Sequence, residues 1–133
     1  MKRRTLVAVG IILAVLVLVV VAGTIIISQL TDRLDAYLDG VELSPVEIAS
    51  LEDGIYPGQV DAGIIRVALE VTMRGGRIER IMLLEHRNGR GRAGEGVLDA
   101  IIAGQETVVD TISGATYSSI VIMDAVQRAL SGN

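Results

Sequence analysis

Asp110-Thr111-Ile112-Ser113-Gly114-Ala115-Thr116 sets an acid and several hydroxyls around small residues, directly ahead of an apolar periodic run from Tyr117 to Leu130. That order predicts Thr116 at or just before a helix N-terminus. Unpaired backbone N–H groups and the helix dipole favour an anion there. Gly114 and Ala115 leave the backbone open, so a bulky group could approach the Thr116 hydroxyl closely. The same residues also fit an ordinary turn with a hydroxyl N-cap, for which Thr116, Ser118 and Ser119 all qualify. A self-activated nucleophile fits less well, because no His, Lys or Cys lies in the segment to take the proton.

A second cluster is His86 to Gly96, His-Arg-Asn-Gly-Arg-Gly-Arg-Ala-Gly-Glu-Gly. Gly89, Gly91 and Gly94 satisfy the spacing of a dinucleotide-binding loop. The reading fails on context: His86-Arg87-Asn88 should break the preceding strand, charged Arg90 and Arg92 fill the gaps, and only a short helical run follows. A strand–helix–strand unit of roughly thirty residues has no room. A loop carrying Arg87, Arg90 or Arg92 toward a phosphate and a plain mobile loop both remain open. His86 is the one histidine.

The elements that must position these residues follow from pattern. Ile65, Val67, Leu69, Val71 and Met73 alternate with polar or small residues, a half-buried strand. Gly75-Gly76 supplies a hairpin turn. Ile78 to Glu85 returns as a second strand, Ile78, Arg80, Met82 and Leu84 on one face and Glu79, Ile81, Leu83 and Glu85 on the other. Bulk on both faces suggests a central strand. Gly54 to Gly63 reads as turn-rich, Val97 to Ala103 as a short helix, and Gln105 to Val109 as a strand leading into Asp110. The last helix should present Ile120, Met123, Val126, Ala129 and Leu130 on one face and close at Gly132.

With these elements, Asp110-x-x-Ser113-Gly114-Ala115-Thr116 resembles the D-x-x-[ST]-G-A-[ST] signature of the FMN-binding domain family, as in the C subunit of the sodium-pumping NADH:quinone reductase and the G subunit of the Rnf complex. Asp53-Gly54-Ile55-Tyr56-Pro57-Gly58 is similar to the D-G-x-Y-x-G opening of that domain. The resemblance covers about Leu51 to Leu130. It implies FMN joined through a phosphoester to Thr116 by a separate magnesium-dependent flavin transferase that uses FAD. Asp110, Ser113, Gly114 and Ala115 would be the recognition context, with Tyr117, Tyr56 and His86 as further cofactor-binding residues. His86 matches only the first position of the H-x-E-T-P-G stretch that larger members carry. On this reading Thr116 is the substrate of another enzyme.

The chain has 133 residues, 50% of them hydrophobic, with no Phe, Trp or Cys. Without cysteine there are no disulfides, Cys-ligated iron–sulfur clusters or thiolate zinc sites. One histidine argues against a His-rich metal or haem site, so bound redox chemistry needs an organic cofactor. Lys2, Arg3 and Arg4 precede Thr5 to Ile27, twenty-three uncharged residues. Beyond them nine arginines face sixteen acids. An acidic body argues against nucleic-acid binding.

A helix over Thr5–Ile27 would cross a hydrocarbon core of about 30 Å. The run exceeds a signal-peptide core of about 7–15 residues, and Val20-Val21-Ala22-Gly23 fits a cleavage site poorly. The expectation is an uncleaved anchor. Basic residues before the span and Asp32, Asp35 and Asp39 after it place the N-terminus in the cytoplasm and the domain outside. Residues 28–50 should form a helical stalk, with Leu30, Leu34, Tyr37, Leu38 and Val41 on one face. Ser44-Pro45-Val46-Glu47 should cap a short helix to about Leu51. From Asp32 to Asp61 there are eight acids and one Arg, a solvated face or a docking surface for a basic partner.

The resulting expectation is an α+β protein: residues 1–4 a cytoplasmic basic head, 5–27 a transmembrane helix, 28–50 a stalk, and 51–133 an FMN-binding domain with a small antiparallel sheet and flanking helices. Its function would be extracytoplasmic electron transfer through covalent FMN, with the membrane, the flavin transferase and redox partner proteins or quinone as partners. A flavin-dependent reductase and a cofactor-free interaction module are the alternatives.

Overall fold

The computed structural model describes residues 2–132; Met1 of the basic head and Asn133 at the end of the domain lie outside them. Helix α1 (Lys2–Gly40) is followed by an extended connection with a short 3-10 turn at Ile48–Ser50. Strands β1 (Gly54–Ala62), β2 (Ile65–Arg74) and β3 (Arg77–Arg87) form one antiparallel sheet in the order β1-β2-β3. A 3-10 turn (Arg92–Glu95) leads into α2 (Gly96–Gly104), and α3 (Thr116–Ser131) closes the fold. The architecture is α+β with one long apolar N-terminal helix, as expected.

The sheet offers one face to the core. Val60, Ala62, Ile65, Val67, Leu69, Val71, Met73 and Ile78 are buried against Val121, Ile122, Ala125, Val126 and Ala129 of α3. Helix α3 is buried around most of its circumference, far beyond the single face the periodicity marked, because α1, α2 and the segment before it enclose the sides away from the sheet. Its end at Gly132, in a left-handed cap at φ 72°, is as predicted.

Three expectations are corrected. The stretch Gly54 to Gly63 is a full strand as far as Ala62 rather than a string of turns, with only Gly63 in the β1–β2 turn. Its glycines and Pro57 are tolerated because β1 is an edge strand, and Gly58 is required there: a Cβ would sit 2.2 Å from the Ala125 carbonyl oxygen. The central strand is β2, and β3 lies at the other edge. Its bulk on both faces comes from two irregularities of register, between Thr72/Met73 and between Ala68/Leu69. Each bulge shifts the inward phase by one residue, so the inward set is Ile78, then Ile81 and Leu83, then His86. Finally, Ser44 caps nothing. The Ser44 N–H donates to Gln127 Oε1 (3.1 Å) and the Val46 N–H to Thr107 Oγ1 (3.0 Å), holding this connection extended, and the turn starts only after Glu47.

The stretch expected as a stalk packs onto the domain. Leu34 is buried in the common core, with Tyr37 and Leu38 against it. The Tyr37 hydroxyl donates a short hydrogen bond to Asp124 Oδ2, which also receives Arg128 Nε at 2.9 Å. Burial, then the bond to the Asp124 carboxylate and its charge, push the Tyr37 phenol well above the ordinary tyrosine range. Helix α1 is long and apolar enough to cross a membrane, and none of its apolar window is buried against the domain.

Candidate functional site

Ser119 builds the local shape of the signature. Its hydroxyl donates to the Ala115 carbonyl (2.8 Å) and accepts the Ile112 N–H (3.0 Å), while the Ala115 N–H closes a turn on the Ile112 carbonyl (2.9 Å). Gly114 takes φ 79° inside that turn, a conformation costly for any residue with a Cβ. The chain is thereby delivered to α3 with Thr116 as its first helical residue. No side chain caps the helix. The hydroxyl-cap reading is therefore corrected: Ser119 bonds behind the turn, Ser118 faces inward, and Thr116 is exposed.

Thr116 lines a cleft of about 580 Å³, within the range of about 300–1,000 Å³ common for cofactor sites. One wall is apolar, made by Leu34 of α1 with Ile64 and Ile65 of the β1–β2 turn. Asn88 and Arg90 from the glycine-rich loop, with Thr116 and Tyr117 of α3, supply the polar wall, and Gly114 and Ala115 complete the lining. Neither Leu34 nor Ile64 was singled out as a site residue. Their role depends on how α1 docks, for which the only sequence signal was the Leu30-Leu34-Tyr37 spacing.

The glycine-rich loop gains its meaning here. A Cβ on Gly91 would lie 2.1 Å from Ser118 Oγ, and one on Gly94 would lie 2.8 Å from Ser118 Cβ. These glycines let the loop close directly over the first turn of α3. They serve packing, not a dinucleotide, and the antiparallel sheet supports the rejection of that fold. His86 lies beneath, its side chain 2% exposed, with Nδ1 2.8 Å from Glu95 Oε1 and Nε2 3.3 Å from Ser118 Oγ. Strand β3 runs through Arg87, so His86-Arg87 does not break it as expected. The imidazole ties β3, the 3-10 turn and α3 together, and reaches the cleft only through Ser118.

The three loop arginines separate. Arg90 lines the cleft. Arg87 Nη2 donates to the Gly63 carbonyl at 2.7 Å. Arg92 is on the far side of His86, beside Glu95. Of the three, Arg90 is the one that shares the cleft lining with Thr116.

The remaining predicted site residues divide likewise. Gly114, Ala115, Thr116 and Tyr117 line the cleft; Asp110 and Ser113 are exposed and outside its lining. Tyr56 lies elsewhere, its hydroxyl on the Glu52 carbonyl (2.9 Å). Asp53 Oδ1 accepts the Gly75 N–H at 2.6 Å and so fixes the β2–β3 turn. Asp53 and Tyr56 thus bond within the fold, outside the cleft's lining. Among the described residues no group of His, Asp and Glu is arranged to hold a metal ion.

The cleft fits a flavin mononucleotide. The apolar wall suits a flat ring system, Arg90 and Asn88 suit polar substituents, and Gly91 and Gly114 leave the backbone bare beside an exposed hydroxyl. An uncharacterized protein of Treponema pallidum (strain Nichols) is 35% identical over 85 residues, 62% of this chain but 24% of that protein's own length. The profile of the FMN-binding domain matches residues 62–131, which hold the cleft's polar wall, the whole signature and α3, and the chain belongs to the FMN-binding domain family.

Proposed function

We propose that the protein is a membrane-anchored, extracytoplasmic electron-transfer flavoprotein that carries FMN as a phosphoester on Thr116. The observation behind this reading is the position of Thr116: exposed, first in a helix without a side-chain cap, and in the lining of the cleft. A flavin transferase needs an acceptor hydroxyl it can reach. Ser118 and Ser119, by contrast, are buried and engaged.

The bound flavin supplies the redox chemistry, taking up and passing on electrons. The chain's residues hold and screen. Arg90 offers a guanidinium to phosphate oxygens, the strongest class of protein–anion hydrogen bond. Leu34, Ile64 and Ile65 exclude water from one side of the cleft. The first-turn N–H groups of α3 add their partial positive charge beneath the attachment point. His86 and Glu95 keep the loop seated. Helix α1 is the span, and the basic residues ahead of it and acids behind it favour a cytoplasmic N-terminus. Redox partner proteins or quinone would give and take the electrons.

The test is mass spectrometry of the peptide containing Asp110 to Thr116 after exposure to transferase, FAD and magnesium. The expected product is an FMN adduct on Thr116. An adduct on Thr111 or Ser113, or a fully labelled Thr116→Ala protein, would overturn the assignment.

A further inference from the structure

The height of the cleft above the apolar run follows from the contacts of α1. The uncharged stretch ends at Ile27, and the hydroxyls next to that end fold back onto the helix, Ser28 Oγ on the Ile25 carbonyl and Thr31 Oγ1 on the Ile27 carbonyl. The first contact with the domain comes almost at once: a Cβ on Gly63 would be 2.4 Å from the Leu30 carbonyl oxygen and 3.0 Å from Arg33 Cβ. Leu30 is three residues past Ile27, about 4.5 Å along a helix. The polar layer on each side of a bilayer is roughly 5–7 Å thick, and tilt shortens the rise further. The β1–β2 turn therefore sits at headgroup depth. Leu34, on the cleft wall, is about 10 Å past Ile27.

The side chains of the turn and the cleft suit that layer, and the exposed Asp32 and Asp35 of α1 lie at the same height. Ile64 is at the tip of the turn and lines the cleft. Tyr117 is 56% exposed, an aromatic ring with a polar tip of the kind enriched at membrane interfaces. Arg90 is exposed at the mouth, and Arg87 is held by the Gly63 carbonyl with its side chain 55% exposed. Asp61 is the acid of this turn. It is occupied internally, accepting the Gly63 N–H at 3.0 Å and lying 4.0 Å from both Arg66 and Arg87. Arginine and phosphate form charge-assisted bonds.

We infer that the domain is seated on phospholipid headgroups through the Gly63–Ile64 turn, the loop bearing Arg90, and Tyr117, so that the cleft opens into the membrane interface. The inference rests on α1 being the membrane span but not on covalent flavin. Its consequence is that a reactant reaches the site along the bilayer surface. The absence of native cysteine makes the test clean. The full chain in phosphatidylcholine–phosphatidylglycerol nanodiscs is spin-labelled at one introduced cysteine, and collisional access to oxygen and to a water-soluble nickel chelate is compared. Labels at Ile64→Cys, Tyr117→Cys and Arg90→Cys should show an oxygen-to-nickel ratio severalfold above that of Glu79→Cys at the opposite end of the domain. A label at Val15→Cys should read as fully buried in lipid. Cleft labels that match Glu79→Cys while Val15→Cys reads deep would overturn the seating and leave the anchor intact. An aqueous Val15→Cys would remove the anchor itself, and the seating with it. Arg90→Cys, on an exposed loop, keeps the test valid if a variant at the half-buried Ile64 misfolds.

Discussion

The two ends of the sheet close the backbone groups of their turns alike but differ in what packs against them. At the end of the β2–β3 turn, side chains close these groups. Asp53 accepts the Gly75 N–H, and Gln105 bonds both the Ile78 N–H (2.8 Å) and the Ile78 carbonyl (3.0 Å). Gly75 and Gly76, at φ 59° and 69°, reverse the chain, and a Cβ on Gly76 would lie 3.0 Å from the Ala49 carbonyl oxygen. At the end of the β1–β2 turn, Asp61 and Arg87 close the Gly63 N–H and carbonyl, and glycines make room for two helices: Gly63 for α1, and Gly91 and Gly94 for α3. That clearance leaves a cleft with Thr116 and Arg90 on its surface. The Asp53-Gly54-x-Tyr56-x-Gly58 stretch and the Asp110–Thr116 signature fall on opposite sides of this divide. Asp53 bonds the β2–β3 turn, and Gly114 to Thr116 line the cleft.

The contrast breaks most sharply at Thr116. If the cleft end carries function without carrying stability, Thr116→Ala should lose flavin attachment completely. Because no cap bond is lost, its stability should stay within about 0.5 kcal/mol of the parent. Thr116→Ser should keep part of the label. Intact mass and a denaturant midpoint measured on the same sample check both halves. A large loss of stability would mean that the hydroxyl is structural after all.

Gly58→Val is the converse. The added Cβ meets the Ala125 carbonyl and Ala129, and overpacking of this kind costs about 1–3 kcal/mol or more. Whatever protein remains folded should still accept flavin, since Gly58 is outside the cleft. Chemical denaturation together with labelling per folded molecule separates the two effects.

The docking of α1 gives a pH signature. Burial raises the Tyr37 pKa in the folded state, so its neutral form is favoured there. The resulting stability is fully present below the ordinary tyrosine pKa of about 10 and is lost as pH rises above it. Thermal melts in detergent should show the wild type falling above that pH more steeply than Tyr37→Phe. At neutral pH Tyr37→Phe should itself cost about 1.5–3 kcal/mol, because the removed hydrogen bond goes to a charged acceptor. Parallel pH profiles would show that the Tyr37–Asp124 contact does not hold the helix to the domain.

Much of this was legible before folding, for identifiable reasons. The Ile65–Met73 alternation and the Gly75-Gly76 turn are local signals, and the hairpin formed as read. So did α3, from its apolar period, its terminal Gly132 and the small residues ahead of Thr116. What was not legible depended on partners distant in sequence. Strand β1 looked like turns because Gly58 and Pro57 only make sense against α3 and at a sheet edge. The bulges of β3 come from pairing with β2. The first turns Ile81 and Leu83 inward, and the second returns the phase, so His86 shares the inward face of Ile78. The segment Gln105 to Val109, expected as a strand, is irregular because Thr107 is committed to Val46 and the Val109 N–H faces Met123 Sδ (3.3 Å). The apolar wall of the cleft belongs to α1, whose docking no local pattern states.

Asp53→Ala sharpens the comparison at its weakest point. The Asp53 carboxylate receives one backbone N–H, and the contact is solvent-exposed, so its net worth is about 0.5–1.5 kcal/mol. The Gly75-Gly76 turn has its own conformational preference and should survive the loss. Flavin attachment at Thr116, at the other end of the sheet, should be unaltered. Hydrogen exchange is the measurement with enough resolution: faster exchange confined to residues around Gly75 and Ile78, with α3 unchanged, is the expected pattern. Faster exchange reaching Thr116 would show that the two ends are coupled through β2 rather than independent. The opening motif would then act on the site as well as on the fold.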